Sequence, residues 1–258
     1  MTAFLDPALA GLLGAGFWHG AIVFLRVAAI ASVFPAFGEQ MVPLRVKLAV
    51  ALAFTFVVAP ALPLFPVPQG IASLAGYVAT ETLIGLALGI CVRFFSHAIQ
   101  TAGSIAAQST SLAQMLGGAG IDPMPALGAV LFWAGMALAM ILGLHVRAAE
   151  FMIYSYQLLP AGQFPDAGML SEWGVSRVSK AFALGFTLAA PFVITAVIYN
   201  LTLGIINRAM PQLMVAMVGA PVITFGGFVI LLVGAPMILN TWSEALMGFF
   251  ANPGGALR

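Results

Sequence analysis

Residues 71–116 read IASLAGYVATETLIGLALGICVRFFSHAIQTAGSIAAQSTSLAQML. From Ile71 to Phe95 the stretch carries only two charges, Glu81 and Arg93. It exceeds the roughly 20 residues a helix needs to cross a hydrocarbon core. Beyond Phe95 the character changes. His97, Gln100, Ser104, Gln108, Ser111 and Gln114 recur at spacings of 3, 4, 4, 3 and 3. That spacing places them on one face of a helix. Off that face stand Ala98, Ala102, Ile105, Ala106 and Leu112. The pattern predicts one long helix from 71 to about 116 with an uncharged polar stripe over its second half. Such a stripe suits a water-filled lining, or Gln and Ser hydrogen bonds between helices of a bundle.

The rest of the chain agrees with a membrane setting. Of 258 residues, 62% are hydrophobic and 7% charged. An ordinary soluble domain carries roughly 25% charged residues. Nine Lys and Arg against eight Asp and Glu give a net charge of +1. The cations are scattered, so no basic field exists for nucleic acid. Six apolar stretches are predicted, at about 10–37, 46–65, 71–95, 125–146, 181–206 and 213–239. Their runs are continuous, which predicts an all-α polytopic membrane protein with helices in hairpins and not an alternating β-barrel. Met1–Asp6 has no basic segment, so the first stretch reads as a span and not as a cleaved signal. The run 60–68 holds Pro60, Pro63, Pro66 and Pro68 and cannot continue a helix. Residues 160–174 read as the most polar connection.

Orientation does not follow from charge. With six alternating spans, Arg45, Lys47, Arg93 and Arg208 face one side, and Arg147, Arg177, Lys180 and Arg258 the other. With that tie the positive-inside rule favours neither orientation. It implies that some stretches are not simple spans, or that partners fix the topology.

Chemistry-bearing motifs are few. The single cysteine, Cys91, excludes an intramolecular disulfide. His19, His97 and His145 form no metal-ligand pair. No nucleophile elbow, P-loop or dinucleotide fingerprint is present, so neither an enzyme nor a cofactor is expected. Arg26 and Glu81 lie inside apolar runs, where a charge costs about 2.5–3.5 kcal/mol on insertion scales. They are therefore expected to be paired in the fold or to meet partner subunits. Gly16 with Gly20, and Gly85 with Gly89, both fit the GxxxG pattern of close helix contacts.

Several blocks, taken in order, carry a resemblance. Arg26-Val27-Ala28-Ala29 leads to Phe34-Pro35-Ala36-Phe37-Gly38-Glu39 and then Pro43-Leu44-Arg45-Val46-Lys47. Glu81-Thr82-Leu83-Ile84-Gly85-Leu86-Ala87-Leu88-Gly89 follows. The most specific block is Gly204-Ile205-Ile206-Asn207-Arg208-Ala209-Met210-Pro211-Gln212-Leu213, with Gly219-Ala220-Pro221 behind it. Gly143-Leu144-His145 and Leu158-Leu159-Pro160 also fit. Over about 20–240 the chain resembles the FliR/SctT family of type III secretion export-gate subunits.

The resemblance implies a single membrane domain, with a FliP-like part at about 1–174 and a FliQ-like hairpin at about 175–258. It implies a pore shared with FliP-like and FliQ-like subunits, in contact with FlhB-like and FlhA-like components and with membrane lipid. Unfolded flagellar proteins would be the cargo, and the bacterial inner membrane, within the flagellar basal body, the location. By the same resemblance, His97, Gln100, Ser104, Gln108, Ser111 and Gln114 line the pore. Met115 and Leu116 seal it, and Gly117, Gly118 and Gly120 let the loop move aside. Arg26, Glu81, Asn207, Arg208, Pro211 and Gln212 are assembly contacts. An injectisome gate subunit is the alternative, and a secondary transporter a more distant one. A transporter would show matching interrupted halves, and no internal repeat is visible.

Overall fold

The computed structural model describes residues 7–110, 126–209 and 215–254. Among the described residues the chain forms seven α-helices and no strand. They are α1 (Pro7–Val33), α2 (Leu44–Val58), α3 (Ile71–Thr110), α4 (Ala126–Ile141), α5 (Leu144–Leu158), α6 (Ala167–Ala209) and α7 (Val215–Ala251). A short 3-10 turn at Ala59–Ala61 follows α2. Five helices contain a segment long and apolar enough to cross a membrane: α1, α2, α3, α6 and α7. The fold is thus the expected all-α polytopic one.

Three boundaries differ from the sequence expectation, each for a physical reason. The fourth apolar stretch is not one helix. Gly143 takes φ +85°, a left-handed conformation natural to glycine, and the helix breaks there between α4 and α5. The premise of six straight spans behind the charge tie therefore fails at this stretch. Next, the polar connection at 160–174 is only partly irregular, because α6 begins at Ala167. Asp166 caps it, its side chain accepting the Met169 amide at 2.7 Å. Last, α7 runs on to Ala251, twelve residues past the apolar stretch that ended at 239. Its polar Asn240, Ser243 and Glu244 bond locally, Asn240 to Glu244 and Ser243 to the Asn240 carbonyl, and the helix continues through them.

The long helix over 71–116 is present as α3 as far as the described residues reach, Thr110. Pro191 is accommodated inside α6, as prolines are in membrane helices.

The chain divides into two compact units. The first is Met1–Arg93, Gly143–Arg177 and Phe250–Arg258. In it α1 packs along α2, and α2 against α5. Gly85 and Gly89 let α3 approach α1 closely. A Cβ at position 85 would lie 2.6 Å from the Arg26 carbonyl and from the Ala29 methyl. The GxxxG reading holds here as helix packing. Gly16 and Gly20, the same motif on α1, have nothing within 4 Å of a built Cβ. Ile22, Val27, Ile30, Phe34, Ile84 and Leu88 fill the core.

The second unit is Phe94–Leu142 and Val178–Phe249. The second half of α3 is its hub. Gly103 meets the Gly128 backbone of α4. Gly185 of α6 sits against the Ala98 carbonyl. Trp242 of α7 is fully buried and donates its indole N–H to the Phe95 carbonyl at 2.8 Å.

Candidate functional site

In the first unit, Arg26 and Glu81 have no exposed surface. Arg26 Nε donates to Glu81 Oε2 at 2.7 Å. Arg26 Nη1 donates to the Leu159 carbonyl at 2.8 Å and the Ser155 carbonyl at 3.1 Å. Those carbonyls are at the C-terminal end of α5, where a cation is favoured; the Ser155 carbonyl also accepts the Leu159 amide at 2.9 Å. The guanidinium carbon stands 3.9 Å from the centre of the Tyr156 ring, within cation–π range. Glu81 uses its other oxygen, Oε1, to accept the Gly162 amide at 2.9 Å. Gly162 has φ +73°, and a Cβ there would press within 2.7 Å of the Tyr77 ring. One ion pair thus fastens α1, α3, the end of α5 and the loop at 159–162. A buried pair is tolerated when further hydrogen bonds satisfy most of its remaining atoms; here Arg26 Nη2 is buried without a hydrogen-bond partner among the described residues, and the Tyr156 ring covers the guanidinium.

A second knot lies beside it. His19 Nδ1 accepts the Phe65 amide at 3.3 Å, so Nε2 carries the proton and donates to the Ala59 carbonyl at 2.8 Å. This holds down the proline-rich segment, where few amides exist to bond. The Phe65 ring in turn packs on Tyr156, centroids 5.6 Å apart. At the opposite end of α1, Arg93 reaches the Val33 carbonyl at 3.2 Å and Glu39 at 3.6 Å.

The second unit handles polar groups differently. His97 and Gln108 are exposed, and Gln100 and Ser104 half-buried. Ala98, Ile99, Ala102, Ala106 and Ala107 of the same helix are buried. His97 Nδ1 and Gln100 Oε1 are 3.2 Å apart, one turn along the stripe. His97 also borders a small apolar cleft with Phe94, Ala98, Thr101, Val178, Ala181 and Phe182. The stripe therefore faces out of its unit, while apolar positions face in. Asn207 and Arg208 are exposed at the end of α6.

The structure thus brings together Arg26 and Glu81, and aligns His97, Gln100, Ser104 and Gln108. Ser111, Gln114, Met115, Leu116, Gly117, Gly118, Gly120, Pro211 and Gln212 lie outside the described residues. Sequence reasoning missed Tyr156, the Ser155 and Leu159 carbonyls, Gly162 and the bonding of His19. The signal available for Tyr156 and Leu159 was their neighbourhood to Leu158-Leu159-Pro160, a motif that marks the end of α5. Among the described residues, no group of three or more metal-ligating side chains occurs.

Known proteins share this sequence pattern. The family model for bacterial export proteins, family 1, matches residues 17–249. The chain is 30% identical over 228 residues to the flagellar biosynthetic protein FliR of Caulobacter vibrioides, covering 87% of this chain and 91% of that one. It is 31% identical over 220 residues to the FliR of Escherichia coli, covering 83% of each. The FliR of Aquifex aeolicus is 29% identical over 236 residues, covering 88% of this chain and 89% of its own.

Proposed function

We propose a specific role from the premise that the chain belongs to the bacterial export proteins, family 1. Family membership and the FliR relatives make it a membrane-embedded component of the flagellar export apparatus. Within that apparatus, it joins FliP-like and FliQ-like chains to form the pore through which unfolded flagellar proteins leave. The relatives named above are flagellar, which favours this reading over an injectisome gate. The chain acts there without catalysis or cofactor, as a shaped wall of the conduit. Its place is the inner membrane of the basal body, beside FlhB-like and FlhA-like components. The division into a FliP-like part to about residue 174 and a FliQ-like hairpin after it belongs to the same reading.

The observation that carries the pore role is the polar face of α3. His97, Gln100, Ser104 and Gln108 point out of a unit whose interior takes the alanine-rich side of that helix, with Ser96 the one polar residue of this half of α3 fully buried among the described residues. Exposed amides and hydroxyls are costly against lipid, because nothing there bonds them. Water in a conduit satisfies them. The absence of Asp, Glu, Lys and Arg from the stripe lets segments of either sign pass. The loop that carries Met115 and Leu116 closes the conduit at rest, and Gly117, Gly118 and Gly120 give it room to swing. Asn207, Arg208, Pro211 and Gln212 contact neighbouring subunits.

Deletion of the gene tests the flagellar role. Deletion cells should be non-motile and export no flagellar protein to the medium, with both restored by the wild-type chain. Motile deletion cells would refute the role. Affinity purification tests the assembly: FliP-like and FliQ-like chains should co-purify in one detergent-stable complex.

A further inference from the structure

The outward face of α2 combines three features. Ala51, Thr55 and Val58 turn inward. Arg45, Leu48, Ala49, Leu52, Ala53, Phe56 and Val57 are all exposed. Arg45, Leu48, Leu52 and Phe56 follow one another at helical spacing, so a single cation heads an apolar ridge. Phe56 is 79% exposed, a large ring left bare by its own chain. Ala49 and Ala53 run beside the ridge and leave a shallow track. Arg45 is exposed and makes no hydrogen bond or ion pair among the described residues, whereas Lys47 is committed to the Gly38 carbonyl at 2.9 Å.

We infer that this face of α2 binds an anionic phospholipid. The headgroup phosphate pairs with Arg45, and an acyl chain lies along Leu48, Leu52 and Phe56. Charge complementarity selects this occupant: a lone cation at the end of an apolar span suits a phosphate at the membrane surface. Length selects it as well. From Arg45 to Phe56 is eleven residues, about 16 Å at 1.5 Å per residue. One leaflet is half of a hydrocarbon core about 30 Å thick, so head and tail of one lipid match the two ends of the track. Exposed Met41 and Leu44 beside Arg45 add apolar contact at the same level. Lipid binding here needs only the membrane setting of the chain and is independent of the pore role.

The test uses the full chain, purified with whatever subunits accompany it from bilayers of equal phosphatidylglycerol and phosphatidylcholine. Retained lipids are counted by mass spectrometry. Wild type should retain phosphatidylglycerol in excess. Arg45→Gln should lower retained phosphatidylglycerol at least threefold and leave phosphatidylcholine unchanged, and Arg45→Lys should restore most of it. A photoreactive residue in place of Leu52 should label lipid. Equal phosphatidylglycerol in wild type and Arg45→Gln would overturn the inference. So would labelling of a protein chain from position 52, because the face would then be a subunit interface. Export is not the readout, so loss of the pore role leaves this result standing.

Discussion

The two units place polar groups in apolar helices by opposite rules. In the first, Arg26 and Glu81 are charged, fully buried and bonded to each other, to the end of α5 and to the Gly162 amide. In the second, Gln100, Ser104 and Gln108, which carry no charge, and His97 beside them are turned outward from a buried alanine face. Glu81 and the stripe lie along the same helix, α3, on either side of Arg93. A charge in an apolar run must be answered within the fold, because leaving it alone costs a large part of a domain's net stability. An uncharged amide costs less and can be left to a neighbour or to water. The contrast separates residues that hold the chain together from residues it offers to something else.

The sharpest way to break the contrast is Glu81→Ala. It strands the Arg26 charge in a dry interior and should cost about 3–5 kcal/mol, read as a large fall in thermal unfolding temperature in detergent. Removing both charges, by Arg26→Leu with Glu81→Leu, should recover part of that loss. An equal or larger loss in the double variant would show that the hydrogen bonds to α5 and Gly162 matter more than the charge. Next in size is Gly85→Val, whose side chain must enter the space held by Ala29 and the Arg26 carbonyl. It should cost about 1–3 kcal/mol. Gly20→Val carries the same motif change into open space and should leave the chain's own stability within about 0.5 kcal/mol. Tyr156→Leu removes the ring over the guanidinium and should cost up to about 2 kcal/mol. The smallest effect is expected in the stripe. Gln100→Ala and Gln108→Ala should each leave unfolding within about 0.5 kcal/mol of wild type, while export of flagellar protein falls. Unfolding as severe as that of Glu81→Ala would place the stripe with the fold-holding residues.

Much of this was legible from residues alone, unevenly. Long apolar runs predict helices well because the bilayer leaves the backbone no other choice. The stripe on α3 was readable because its period is local to one helix. The Arg26–Glu81 pairing was half legible: each charge demanded a partner, but 55 residues separate them and only the fold shows that each is the other's. The Leu158-Leu159-Pro160 motif marked the end of α5 but not the bond that the Leu159 carbonyl accepts, and nothing pointed to the Gly162 amide, because backbone groups leave no residue-type signal. The break at Gly143 was obscured for a similar reason. Leu142 and Leu144 flank it, so hydropathy runs on through a glycine whose left-handed backbone breaks the helix. The start of α6 at Ala167 was hidden by its polar first turns, which hydropathy reads as a connection.

Everything proposed for the pore turns on whether the outward face of α3 looks into the export conduit. Single cysteines, placed in a Cys91→Ser background, test it against a substrate halted during export. Cross-links to the substrate are expected from Gln100→Cys, Ser104→Cys and Gln108→Cys, and none from Ile99→Cys, Ala102→Cys or Ala106→Cys. Cross-links to lipid or to a neighbouring subunit from the stripe, with none to the substrate, would contradict it.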